Sequence, residues 1–277
     1  MTTRLRFLGA SCFEVVGPHH RILLEPFLTD NPVSPYTVET IPAPDLILVS
    51  HGAWDHCADA GAVAKRTGAP VCCGADVAAL LADQHIPEEQ VRPVIWGLCY
   101  EFDGFLVRPV ECHHWSSVTL SDGTRITGTP LSFIIETEPG VRIYHFGDTA
   151  IFGDIRLIGQ LHRPTVALLG CANTDGLPDP GAGLACTGEM NPDEAALAAE
   201  WLGVRYAVAT HYMNPGEEVN EFRRRVAHHD TTGRRMALAP RAGDWIEIEP
   251  VESGPGHPSL LWGGTSPEFD LTRVPTR

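Results

Sequence analysis

The sequence predicts an α/β fold of mixed β-sheets with helices covering their outer faces. Three observations predict it. Continuous apolar runs at residues 45–50, 69–73, 166–170 and 206–210 read as strands buried on both faces. Helical segments follow several of these runs. Shorter strand-like stretches come in succession at 4–8, 12–16 and 21–24, divided by Gly-Ala-Ser and Gly-Pro turns.

Taken in order, residues 59–66 read as a helix ending near Gly68, and 76–83 as another. The middle returns to strands at 105–112, 131–137 and 141–146. A long polar segment at 171–189 is rich in Gly, Pro and Asp, and such loops in a compact domain are often functional. Asn191-Pro192-Asp193-Glu194 then opens a helix running to about Leu202. Asn caps it, Pro suits the first position, and the acids complement the positive helix end. Residues 217–228 read as a further helix, with Arg223, Arg224 and Arg225 on a solvated face. Strands at 236–238 and 245–248 close a domain assigned to 1–250. The remainder, 251–277, is Gly/Pro/Ser-rich yet carries Leu260, Leu261, Trp262, Phe269 and Leu271. It is expected to dock on the body or on a partner subunit of a homo-oligomer.

A chain of 277 residues can bury a large core, and its 43% hydrophobic and 20% charged content is ordinary for a globular protein. No apolar run is long enough to cross a bilayer, and the first residues lack the apolar stretch of a signal peptide. A cytoplasmic protein with no membrane partner is expected. The net charge of −15 argues against nucleic acid, whose phosphates need a basic footprint. The expected partner is a small-molecule substrate. The eight cysteines form no C-x-x-C pair and are expected to be reduced and mostly in the core, Cys57 and Cys171 included.

The chemistry concentrates at strand ends. His51-Gly-Ala-Trp-Asp55-His56 follows the 45–50 strand at once. His114 follows the 105–112 strand, Asp148 in Gly147-Asp148-Thr149 follows 141–146, and His211 in Thr210-His211-Tyr212 follows 206–210. Imidazole nitrogen and carboxylate oxygen are common ligands of Zn, Mn or Fe. A lone His after a strand is usually a packed residue, and an Asp after Gly a turn residue. Four such ends in one chain are better explained by a shared metal centre. Position 53, where a third close imidazole could stand, is Ala.

The segment His51-Gly-Ala-Trp-Asp55-His56 resembles the His-x-His-x-Asp-His signature of the metallo-β-lactamase superfamily, with Ala53 at its second His. Residues from about 4 to 250 are similar to one branch, the ascorbate-6-phosphate-lactonase-like metal-dependent hydrolases. Matching stretches include Phe7-Leu8-Gly9, Glu25-Pro26-Phe27-Leu28-Thr29, Glu101-Phe102-Asp103-Gly104-Phe105, Tyr144-His145-Phe146-Gly147-Asp148-Thr149, Met190-Asn191-Pro192-Asp193-Glu194-Ala195 and Thr210-His211-Tyr212. The resemblance implies an αββα sandwich of two mixed sheets. It implies one or two divalent transition metals, with Zn favoured over Mn or Fe. His51 and His114 would hold a first ion, Asp55, His56 and His211 a second, and Asp148 would bridge them. The resemblance prefers His114 to His113 because an ungapped match from Glu101-Phe102-Asp103-Gly104-Phe105 lands on it; Cys112 and His114 also share one side of a strand by period two, and His113 is the fallback.

Two departures from the family pattern bear on this set. Ala53 leaves the first position a ligand short, so the centre is mononuclear, binuclear with an exchangeable first ion, or completed by substrate or water. The family's Asp before Pro-Phe-Leu is here Glu25, expected to orient the ligands from behind. His145 is read either as a packed strand residue or as a support to the site. Trp54 and Trp115 are weighed between packing and pocket lining.

The expected reaction is opening of a small cyclic ester, with cyclic amides and carbamates close behind, by hydroxide generated at the metal. The metal, or a nearby donor such as Tyr212, is expected to stabilise the oxyanion, and Asp55 or Asp148 to carry the proton to the leaving group. The alternatives are a phosphodiesterase on the same fold and a non-catalytic metal-binding protein.

Overall fold

A computed structural model of the protein describes residues 2–102, 104–172 and 188–251. Two seven-stranded sheets form its centre, with strands and helices numbered here in chain order. The first sheet holds β1 (Arg4–Gly9), β2 (Cys12–Val16), β3 (Arg21–Leu24), β4 (Leu46–Val49), β5 (Val71–Cys73) and β6 (Val91–Pro93), with β16 (Trp245–Glu247) added beside β1. The second runs β15 (Met236–Leu238), β14 (Tyr206–Thr210), β13 (Val166–Gly170), β12 (Val141–His145), β11 (Ser132–Glu138), β8 (Phe105–Val110), β7 (Tyr100–Phe102). A separate hairpin joins β9 (Ser116–Thr119) to β10 (Arg125–Gly128). The helices are α1 (Trp54–Cys57), α2 (Ala60–Thr67), α3 (Ala75–Asp83), α4 (Ile155–His162), α5 (Pro192–Leu202) and α6 (Glu217–His229).

Both sheets are mixed, and the reason lies in their connections. Short turns join β1, β2 and β3 antiparallel, whereas β3 to β6 run parallel. In the second sheet β8, β11 and β12 alternate, and β12 to β15 are parallel. Parallel neighbours need crossover connections, which put helices on the faces.

Strand β4 shows how period two divides the core. Leu46 and Leu48 enter the main cluster with Phe7, Phe13, Phe133 and Ile143. Ile47 and Val49 face the other way, onto Val63 and Ala64 of α2 and Val77 and Leu81 of α3. Each such side chain, fully removed from water, contributes roughly 1.5–3 kcal/mol before entropy is charged against it. On the second sheet, small residues Ala195, Ala198 and Ala199 let α5 pack close.

The helix starts and stops follow the local chemistry. The side chain of Asn191 accepts from the backbone of Asp193 and Glu194, while Glu194 accepts from Asn191 N, closing a reciprocal cap with Pro192 behind it. Gly68 ends α2 in the left-handed region at φ 76°. Arg223, Arg224 and Arg225 lie exposed on α6, as their composition predicts.

Helices α1 and α4, strands β6 and β7 and the β9–β10 hairpin are absent from the sequence reading. In α4, Ile155 and Ile158 are buried while Leu157 and Leu161 are each 48% exposed, so apolar residues on both faces blur its period. The β9–β10 hairpin carries an Asp122-Gly123 turn, a signal that was available. Most of the 171–189 segment and of the 251–277 tail lies outside the described residues.

Candidate metal centre

The site forms where the carboxyl ends of parallel strands from both sheets meet, the usual place for a ligand crevice in α/β sheets. Strand β3 delivers Glu25, β4 delivers Ser50 and His51, β12 delivers Asp148, and β14 delivers His211. Asp55 and His56 come from the one-turn helix α1 directly behind His51.

The backbone at these ends is bent into uncommon conformations. Glu25, Asp148 and His211 all have positive φ, at 48°, 63° and 66°. Such residues cost on the order of 1–3 kcal/mol each and persist only where their surroundings hold them. Ala10 shares this conformation, at φ 52°. It ties the halves together: His211 N donates to Ala10 O at 2.8 Å, and Ala10 N donates to Tyr212 O at 2.9 Å. Gly147 lets the second sheet touch the first, since a Cβ there would sit 2.0 Å from Leu131 O and 3.0 Å from Ser50 Cβ.

Five of the six predicted donors are buried and share one centre. Asp148 Oδ2 lies 2.9 Å from His56 Nε2, 3.2 Å from His211 Nε2 and 3.8 Å from His51 Nε2. Asp55 Oδ2 lies 3.5 Å from His56 Nε2 and 3.8 Å from His211 Nε2. His114 is half-buried, its ring centroid 4.8 Å from that of His51. Among the described residues three ligand groupings result, each with donor atoms within 4.8 Å of one another: His51, His56 and Asp148; Asp55, His56 and His211; His114, Asp148 and Glu189.

The fit to a metal rests on which atoms remain unpaired. His56 Nδ1 donates to Glu25 Oε2 at 2.9 Å, and His211 Nδ1 donates to Ala172 O at 2.8 Å. His51 Nδ1 is hydrogen-bonded to Ser50 Oγ at 2.9 Å. In each case the outer nitrogen is engaged and Nε2 is turned inward. Buried Nε2 of His51, His56 and His211, Oδ2 of Asp55 and Oδ1 of Asp148 have no hydrogen-bond partner among the described residues. Stranding that many buried polar atoms would cost about 1–3 kcal/mol each. A divalent cation satisfies all of them, and the second nitrogen's partner fixes the ligating tautomer.

Behind the ligands, Glu25 is fully buried and saturated. Its carboxylate accepts from His56 Nδ1, from His145 Nε2 at 2.8 Å and from Ser50 N. Burial alone would raise its pKa, but the charges and hydrogen bonds of His56 and His145 outweigh that and bring it down to about 2. His145 is therefore both a packed strand residue and a support.

The ligands' own charges are coupled. Burial would lower the pKa of His211, yet the adjacent Asp148 and Asp55 carboxylates hold it up to about 9. Burial also opposes charge on His56, and Asp148, Asp55 and Glu25 raise it nonetheless. Burial and the neighbouring His56 keep His51 neutral. A metal takes the unprotonated imidazole, so uptake near pH 7.5 must expel the proton that Asp148 retains on His211. Apparent metal affinity is then expected to fall as pH drops below about 9. Calorimetric titration in buffers of different ionisation enthalpy should show net proton release. Buffer-independent heats would contradict this.

Several expectations need correction or refinement. Tyr212 does not face the cluster: its hydroxyl donates to Pro240 O at 2.6 Å, and its ring packs on Phe7. The oxyanion role assigned to it is withdrawn. Tyr212→Phe is expected to leave turnover within about twofold while costing roughly 1–3 kcal/mol of stability from the unpaired carbonyl. Steady-state rates and denaturant melts check both. His113 points outward, bonded to Glu111 at 2.8 Å and stacked on Phe152. Cys57 and Cys171 are buried thiols whose pKa burial raises to about 12, so they are inert.

Trp54 and Trp115, 46% and 64% exposed, line a pocket of about 430 Å³. It opens beside His51, with Ala53, Val118 and Arg125 in its wall. The β9–β10 hairpin supplies Val118 and Arg125, so an element absent from the sequence reading shapes the mouth of the site. Glu189 is the other residue that reading missed. Nothing in its polar surroundings marks it, and only the fold brings it to His114.

Comparison with known proteins gives the chain's family. Residues 20–212 match the β-lactamase superfamily domain. A UPF0173 metal-dependent hydrolase of Rubrobacter xylanophilus is 39% identical over 212 residues, covering 76% of this chain and 81% of that protein. A second, from Thermococcus onnurineus, is 38% identical over 212 residues, with 76% and 84% covered. The solved metallo hydrolase Igni18 of Ignicoccus hospitalis superposes with a TM-score of 0.70 at 25% identity, covering 90% of this chain and 99% of its own. Fold, centre and relatives agree: the chain belongs to the metallo-β-lactamase superfamily and, within it, to the UPF0173 metal-dependent hydrolases.

Proposed function

We propose that this metal-dependent hydrolase opens a small cyclic ester, or a related cyclic amide or carbamate, at the centre formed by His51, Asp55, His56, His114, Asp148 and His211. A divalent metal held there would lower the pKa of a water toward about 7 and polarise a carbonyl. The protein's part is to position and to move protons. Glu25 locks His56 in one tautomer, and Ala172 O does so for His211. The Asp55 carboxylate, buried at the centre, is placed to take a proton from the attacking water and pass it to the leaving alkoxide.

The observation that carries the reading is the pocket beside His51. At about 430 Å³ it suits a small ring, and Trp54, Trp115 and Val118 give it apolar walls. Arg125 is its one cation among the described residues and favours a substrate with an anionic substituent, which keeps a phosphodiester as the second reading. A pH-stat screen of lactones, cyclic amides, cyclic carbamates and phosphodiesters separates them. Acid release from a lactone is expected. Turnover of phosphodiesters alone would overturn the ester reading.

A further inference from the structure

We infer that Glu189 supplies the ligand that Ala53 lacks, completing a first metal position with His51, His114 and Asp148. The inference rests on the metal-centre reading above and goes beyond it in ligand set and ion count.

Ala53 ends in a methyl group and cannot ligate. It stands in extended backbone at the start of α1 and lines the substrate pocket instead. Glu189 arrives from a different segment. Its carboxylate lies with His114 and Asp148 in one grouping, all donor atoms within 4.8 Å. Its Oε2 is buried without a hydrogen-bond partner among the described residues, although the residue as a whole is half-buried. The atoms it would join are in the same condition: His51 Nε2 and Asp148 Oδ1 are also buried and unpartnered. Three donors from three segments thus lack hydrogen-bond partners among the described residues, and Asp148 is common to the grouping that holds His51 and the one that holds His114 and Glu189.

The local chain explains why Glu189 is held there. Gly188 lies flat against His114, where a Cβ would come 3.0 Å from Nδ1. Met190 is buried, and Asn191 is fixed by the reciprocal cap of α5. The residue between these anchors has little freedom to swing away. Moving the donor from position 53 to 189 also clears the pocket wall next to His51, so one change serves both ligand set and substrate room.

The exchange alters the ion that fits. An imidazole is replaced by a carboxylate, giving two nitrogens and two oxygens at the first position. That set is harder and carries one more negative charge, which shifts preference from Zn²⁺ toward Mn²⁺ or Fe²⁺. The second position, with Asp55, His56 and His211, keeps its own donors.

The test is metal content and affinity, read without turnover. Chelator-stripped full-length protein is reloaded with Mn²⁺ or Zn²⁺, and bound ions are counted by plasma mass spectrometry. Wild type is expected to bind two ions, with exchange-coupled Mn²⁺ visible by electron paramagnetic resonance. Glu189→Gln is expected to keep one ion, lose the coupled signal and keep its circular dichroism spectrum. Adding Ala53→His to that variant should restore the second ion and move its preference toward Zn²⁺. Equal stoichiometry and affinity in wild type and Glu189→Gln would overturn the inference while leaving the metal centre intact. One ion in both proteins has the same meaning. No ion in wild type would overturn the metal centre itself.

Discussion

Replacing Asp148 by Asn is expected to abolish tight metal binding and to lower hydrolysis by about 10³-fold or more. The carboxylate sits at the midpoint of His51, His56 and His211, within 3.8 Å of all three, and is 3% exposed. Its pKa is driven well down despite burial, because the His211 and His56 charges outweigh desolvation. A metal contributes several kcal/mol to transition-state stabilisation, and each 1.36 kcal/mol is tenfold in rate, which sets the scale of the loss. Asn keeps the size and tolerates the left-handed backbone at φ 63°, so the variant should fold. Circular dichroism, metal content and initial rates separate the outcomes. A folded Asp148→Asn protein with wild-type metal content would contradict the assigned role.

The second large effect is expected at Glu25, which touches no substrate. Glu25→Ala strips acceptors from His56 Nδ1, His145 Nε2 and Ser50 N, all in the interior. Breaking a buried charged network by removing one partner costs about 3–5 kcal/mol. Loss of a group that orients a ligand typically weakens metal binding 10–100-fold. Glu25→Gln isolates the charge. The folded pKa of about 2 lies below the ordinary 4.5, so the carboxylate's contribution is present above pH 4.5 and lost as pH falls through 2. From those two values it amounts to about 3 kcal/mol at neutral pH. Denaturant melts of metal-free wild type and Glu25→Gln should therefore differ by about this amount at pH 7. The gap should narrow as pH drops below 4.5. A pH-independent gap would assign the effect to shape rather than charge.

The sequence made much of this centre legible, for physical reasons that also explain what it hid. His51, Asp148 and His211 follow unbroken apolar strands, and side chains just past such strands gather at one sheet edge. The ungapped family match from Glu101 to Phe105 separated His114 from His113, and the structure turns His113 outward onto Glu111. Tyr212 was misread because adjacency to His211 says nothing of direction, and the left-handed backbone at His211, φ 66°, turns the chain just before Tyr212. Glu25 and His145 form their pair across 120 positions, and only the closing of two sheets brings them together. Glu189 lies in a polar stretch with no periodicity, so its meeting with His114 is a tertiary event.

The most direct measurement is an anomalous difference map from crystals soaked separately in Zn²⁺ and Mn²⁺, with data collected at each absorption edge. The expected result is strong density among the inward nitrogens of His51, His56 and His211 and the carboxylates of Asp55 and Asp148. Clean maps at both edges there, with ions bound only on the surface, would contradict a metal centre at these strand ends.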